Sequence, residues 1–220
     1  MLKFQKSNIL VLAAHPDDET LGCGGTLSKL NEQGCNIELL TFTDGVTSRE
    51  GEDGNRNIKL DTVSSILGID RYKSGEFPDN AMDSVSILQV AKFIEGNVKT
   101  QPDIIFTHFP FDLNIDHQIV TKACLAAFRP QHGKSVSIYS YYVPSATDYN
   151  SVNPFDGKVY IKLEQKHIDA KLKALEVYEE EMREYPHSRS YSNVVNLSRV
   201  WGSEVGAEYC EKFMLIREVI

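Results

Sequence analysis

No apolar run in the chain is long enough to cross a bilayer, and its longest early stretch, Ile9 to Ala14, is too short for a signal-peptide core and leads straight into charged residues. Membrane insertion and a cleaved leader are therefore not expected, and the sequence reads as cytoplasmic. There is no C-x-x-C pair either. The four cysteines, Cys23, Cys35, Cys124 and Cys210, stand far apart, which excludes a zinc ribbon and a redox pair and reads as small buried apolar residues in a reducing compartment. Basic residues are in deficit: 23 Lys and Arg face 31 Asp and Glu, for a formal net charge of -8. Binding a phosphate backbone needs clustered cations that displace counterions, so nucleic acid is not an expected partner. Repeats, low-complexity tracts and linker-like stretches are also missing.

What the chain does have is one domain's worth of core. With 41% hydrophobic and 25% charged residues over 220 positions, a single domain spanning residues 1–220 is the expected organisation. Ile9 to Ala14 reads as a central strand covered on both faces. A helix follows from Thr20 to Gln33, stopped by Gly34, then a strand from Asn36 to Phe42 and a helix from Asn55 to Leu67 closed by Gly68. Val85 to Val98 reads as helix, Asp103 to Thr107 as strand and His117 to Phe128 as helix. Val136 to Val143 and Lys158 to Leu163 read as strands, and Glu164 to Met182 as a long charged helix. Ser145 to Gly157 is a loop. This alternation predicts an α/β fold: three α/β/α layers around a Rossmann-like, mostly parallel sheet.

Directly after the first strand stands His15-Pro16-Asp17-Asp18-Glu19, at the carboxyl end where open α/β sheets gather ligands. The spacing of His15 and Asp18 lets both converge on one metal ion while Asp17 stays unattached. A catalytic zinc site takes about three protein ligands and an open position. The best third ligand is His117, in the loop after the Asp103 to Thr107 strand, which opens on the same sheet edge. A His, Asp, His set suits Zn²⁺ best and also admits Fe²⁺, Mn²⁺ or Co²⁺.

Simpler readings exist. Asp17 and Asp18 alone would pass as helix caps, but together with His15 and His117 the metal reading is stronger. His108, His132 and His167 read as ordinary hydrogen-bonded histidines, with a supporting role at the site kept open for His108. Gly22, Gly24 and Gly25 lack the third glycine of a dinucleotide fingerprint and are read as close helix-on-strand packing. Trp201, Tyr209 and Phe213 are read as core or subunit-contact residues, which leaves a homo-oligomer open. Arg189 reads equally as a surface charge or an anion contact.

The His-Pro-Asp-Asp-Glu run and the later Asp116-His117 pair resemble the PIG-L (LmbE-like) family of zinc deacetylases. Similarity extends through Leu21 to Gly25, Phe77-Pro78-Asp79-Asn80 and the closing Gly202 to Phe213. The resemblance implies that His15, Asp18 and His117 are the zinc ligands, that Asp17 is the general base and that Asp116 orients its neighbours. It implies as substrate a small N-acetylated amino sugar, whose N-acetyl group is removed by hydrolysis. Family members commonly place a second histidine three residues before the ligand histidine; here that position is Asn114, which donates a hydrogen bond but cannot shuttle a proton. Asn114 is thus a candidate to stabilise the oxyanion, and the acid role falls to Asp17 returning its proton or to His187. Arg56 and Asp79 resemble positions that hold sugar hydroxyls. Three rivals are another small amide as substrate, a nucleotide-binding or regulatory module on the same sheet, and a homologue that binds zinc and sugar but turns over slowly.

Overall fold

A computed structural model of the chain describes residues 4–45, 56–131 and 135–219. The first apolar run forms β1 (Asn8–Ala13). Ile9, Val11 and Ala13 enter one core cluster while Leu10 and Leu12 enter another, the two-residue alternation of a strand buried on both faces. The elements that follow are α1 (Asp18–Glu32), β2 (Asn36–Thr41), α2 (Leu60–Leu67), β3 (Arg71–Ser74), α3 (Ile87–Asn97), β4 (Ile104–His108), α4 (Ile115–Ala127), β5 (Ser137–Tyr141), β6 (Val159–Leu163), α5 (Gln165–Val177), α6 (Tyr191–Ser203) and β7 (Tyr209–Arg217).

The strands form one seven-stranded sheet in the order β3-β2-β1-β4-β5-β7-β6. The first five pair in parallel, and β7 runs antiparallel to both β5 and β6. One core cluster joins the sheet to Leu27 of α1, Val63 of α2, Leu175 of α5 and Val194 of α6; the other joins it to Val90 and Ile94 of α3 and Val120 and Ala123 of α4. This is the expected three-layer, mostly parallel architecture. Three elements went unanticipated: β3, α6 and β7. The charged helix expected to reach Met182 ends at Val177, followed by a 3-10 turn over Glu179–Glu181. All four cysteines are buried and unbridged. Among the described residues no helix is long and apolar enough to cross a membrane.

The strand order reverses between β1 and β4, since β2 and β3 lie to one side of β1 and β4 and β5 to the other. The crevice outside the carboxyl ends at such a reversal is where open α/β sheets place ligands. Two loops border it: the β1–α1 connection and the β4–α4 connection.

Candidate metal centre

In the β1–α1 connection the His15 backbone N–H donates to Asp18 Oδ2 at 2.9 Å, and His15 Nδ1 lies 3.1 Å from the same oxygen. In the β4–α4 connection Asn114 caps α4, its Oδ1 accepting the Asp116 N–H at 2.8 Å. The first turn of α4 therefore carries Asp116 and His117 towards β1. His15 Nε2 is 3.2 Å from both Asp116 Oδ2 and Asp79 Oδ1, and His117 Nε2 is 3.3 Å from Asp18 Oδ2. All five side chains are buried.

The ligating atoms of His15, Asp18 and His117 lie within 4.8 Å of one another, as do those of His15, Asp79 and Asp116. The two groups differ in what their oxygens already hold. Asp116 accepts the N–H of Asn80 at 2.7 Å and of Met82 at 3.0 Å. Asp18 Oδ1 and His117 Nε2 are buried with no hydrogen-bond partner. An unmet buried polar atom costs about 1–3 kcal/mol, so the first group fits a cation that would satisfy both atoms at once.

The electrostatics point the same way. Burial opposes charge on His15, yet its hydrogen bonds to Asp116, Asp18 and Asp79 lift its pKa well above the ordinary imidazole value. Burial likewise opposes charge on His117, but Asp18 and Asp112 raise it to about 9. Burial would push Asp18 up, and the positive charge of His117 together with hydrogen bonds to His117 and His15 holds it well below the usual carboxylate range. Without a cation, protons on the two histidines neutralise the surplus of carboxylate.

Several neighbours shape this cluster. His108, whose supporting role the sequence left open, stacks on His117 with ring centroids 3.8 Å apart. Its Nε2 accepts the Ala14 N–H at 2.8 Å, and burial together with His117 lowers its pKa well below normal. Asp112, which sequence reasoning passed over, sits 3.3 Å from His117 Nδ1 while accepting the Asn114 N–H and the Thr147 hydroxyl. Asp17 is 1% exposed and adopts φ 131°, a conformation L-residues rarely hold. Its N–H donates to Glu19, whose buried carboxyl is pushed up to about 7. Arg189 donates from Nη1 to Asp17 Oδ2 at 3.2 Å and is anchored through Nε by Pro144 O and Ser145 Oγ. Arg189 is therefore an internal partner of Asp17, and a cation 172 positions away gave no sequence signal beyond its type.

The remaining expected residues are placed less centrally. Asp79 faces His15 directly. Asn114 commits its Oδ1 to the α4 cap and donates from Nδ2 to Asn80 at 3.1 Å. His187 is half-buried and its Nδ1 accepts the Arg189 N–H at 3.0 Å, which puts the proton of the neutral ring on Nε2. Arg56 begins a short 3-10 turn; its side chain, like His132, lies outside the described residues. Gly22 packs against Tyr141 so closely that an added Cβ would overlap the ring, the helix-on-strand packing its sequence suggested.

The chain is similar to several known proteins. An Escherichia coli K12 protein described as the uncharacterized deacetylase YaiS is 29% identical over 182 residues, 78% of this chain and 90% of that one. The 1D-myo-inositol 2-acetamido-2-deoxy-alpha-D-glucopyranoside deacetylase of Mycolicibacterium gilvum is 27% identical over 118 residues, 44% of this chain, and the match spans only 40% of that longer relative. The fold is shared with the N,N'-diacetylchitobiose deacetylase of Pyrococcus horikoshii, at a TM-score of 0.76 and 19% identity over 96% of this chain and 84% of that one. The profile of the PIG-L family, described as GlcNAc-PI de-N-acetylase, matches residues 10–128. That stretch covers over half the chain and includes both loops that meet at the sheet reversal, and the chain belongs to the PIG-L family.

Proposed function

We propose that this chain is a metal-dependent deacetylase that hydrolyses the N-acetyl group of a small N-acetylated amino sugar. The carrying observation is the buried His15, Asp18 and His117 group, with ligating atoms within 4.8 Å and with Asp18 Oδ1 and His117 Nε2 among its unpartnered polar atoms. The names of the relatives, which concern acetamido sugars and chitobiose, support the substrate class. Two imidazoles and a carboxylate favour Zn²⁺, with Fe²⁺, Mn²⁺ and Co²⁺ as other occupants.

His15, Asp18 and His117 would hold the ion, and Asp116, Asp79 and Asp112 would orient the two rings through their other nitrogens. The ion supplies Lewis-acid polarisation of the amide carbonyl and favours ionisation of water. Asp17, held by Arg189, is the general base that takes the proton of the attacking water. Attack on the amide carbon breaks the C–N bond, so a proton must reach the departing nitrogen. Asp17 returning its proton, or the Nε2–H of His187, fills that role. Asn114 is less suited to hold the oxyanion while its amide serves the α4 cap and Asn80. Arg56 is kept as a sugar-hydroxyl contact.

The test is metal content by elemental analysis for wild type and His117→Ala, with acetate release from a panel of N-acetylglucosamine derivatives. The reading expects about one zinc per wild-type chain, its loss in the variant, and acetate from at least one derivative. A wild-type protein that takes up no metal when zinc is supplied refutes it.

A further inference from the structure

We infer that the buried Lys171–Glu211 ion pair is a positioning device for the metal centre, holding open a break in α1 that aims Asp17 and Asp18; the inference rests on the metal-dependent reading above. α1 is interrupted at Cys23, where the backbone turns to φ -145°, ψ 17°. An unbroken helix joins the N–H of Gly25 to the carbonyl of Leu21. Here Gly25 N–H donates to Glu211 Oε1 at 3.1 Å, and Leu21 O accepts from Lys171 Nζ at 2.8 Å. The two charged groups that take over the ends of this helical bond are themselves 2.6 Å apart. Glu211 Oε2 also accepts the Thr26 N–H at 2.7 Å, so the carboxylate caps the second half of the helix while the ammonium caps the first.

Lys171 is 3% exposed and Glu211 fully buried. A buried ion pair can often be exchanged for apolar residues without loss of stability, so stability alone does not account for it. Apolar side chains cannot cap a broken helix. The glycine-rich stretch supplies the room: a Cβ on Gly25 would lie 2.7 Å from Leu163 Cδ1 and 3.4 Å from Glu211 Oε1. Upstream of the break, the short turn from Asp18 to Gly22 is what presents Asp18 to His15 and His117. If the break closes, that turn realigns with the rest of α1 and the carboxylate leaves its partners. Neither Lys171, on α5, nor Glu211, on β7, is among the ligating group.

The experiment measures Zn²⁺ affinity by competition with a chromophoric chelator, together with the visible absorption of the Co²⁺-loaded protein. The proteins are wild type, Glu211→Gln, Lys171→Met, the double variant Lys171→Met/Glu211→Leu, and the conservative Lys171→Arg. Zinc affinity is expected to fall about 10–100-fold in both single variants, the range typical of groups that orient metal ligands. The Co²⁺ band is expected to shift with it, and Lys171→Arg to recover part of both. The double variant, which restores apolar packing, is expected to regain Tm without regaining affinity; it carries the test if the single variants do not fold. Wild-type zinc affinity and an unchanged Co²⁺ band in variants whose Tm has dropped would overturn the inference and leave the pair a stabilising contact only. A wild type that binds neither ion refutes the metal reading first and this inference with it, an outcome distinct from binding by wild type and variants alike.

Discussion

At Asp17 conformation and chemistry are in tension. A non-glycine residue at φ 131° costs about 1–3 kcal/mol, and the hydrogen bonds to Glu19 and from Arg189 hold it there. Asp17→Asn keeps the shape and loses the base, so kcat is expected to drop about 10²–10⁴-fold with zinc content unchanged; an unchanged kcat in steady-state assays removes Asp17 from the reaction. His117 gives a pH dependence. Its folded pKa of about 9 exceeds the ordinary 6.5, so protonated His117 stabilises the metal-free fold fully below pH 6.5, and that contribution disappears as the pH climbs through 9. Thermal melts of chelator-treated protein are therefore expected to show Tm falling across that window, with a smaller fall in His117→Gln. Zinc binding has the opposite trend, weakening on acidification as protons compete for the same nitrogens. At this scale the sequence disclosed residues whose neighbours along the chain share their chemistry, such as His15, Asp17 and Asp18. It did not disclose Asp112 or Arg189, because their partners are set by folding: Arg189 meets Asp17 only after α5 has returned across the sheet. Nor did it disclose that Asn114 is occupied as a cap, since Asn at that position reads equally as cap or donor.

Among the elements, those with long apolar periods were readable and those without were not. β1 buries an unbroken apolar run, and its place at the centre follows from that. α6 fully buries only Val194, Ser198 and Gly202, so one apolar side chain shares its innermost stripe with a serine and a glycine, while Val195, Leu197 and Trp201 are half-buried. β3 is four half-buried or exposed residues. β7 buries Tyr209, Cys210 and Glu211 in succession and carries Glu211 and Lys212 side by side, so it lacks the two-residue alternation by which a half-buried strand is read, and its antiparallel course left no mark in the sequence. The first turn of α1 gives the element-scale prediction. Gly22 leaves no space for a methyl group beside Tyr141, whose hydroxyl donates to Leu12 O. Gly22→Ala is expected to destabilise by about 1–3 kcal/mol, as overpacked sites do, read as a lower midpoint in urea. A neutral or stabilising effect would mean that this turn has slack, which the positioning of Asp18 does not allow.

For the whole molecule, metal and fold are linked because the proposed ligands come from two strand-to-helix junctions, β1–α1 and β4–α4, that only the formed sheet brings together. Zinc at 100 times its Kd adds about 2.7 kcal/mol of stability, and a domain of this size shifts Tm by about 2–4 °C per kcal/mol. Calorimetry with and without a chelator is therefore expected to differ by about 5–11 °C, and coincident melts would argue against a site that exists only in the folded state. The placement of β7 has a consequence for how such a molecule comes into being. It inserts between β5 and β6, two strands translated well before it, and it alone brings Glu211 to the broken helix. A growing chain can emerge with His15, Asp18 and His117 already made and still leave two sheet edges open and α1 without its cap. Ribosome-bound intermediates of this protein thus expose edges that invite pairing with other chains, and on the positioning inference tight metal uptake belongs to the period after β7 has been synthesised and docked.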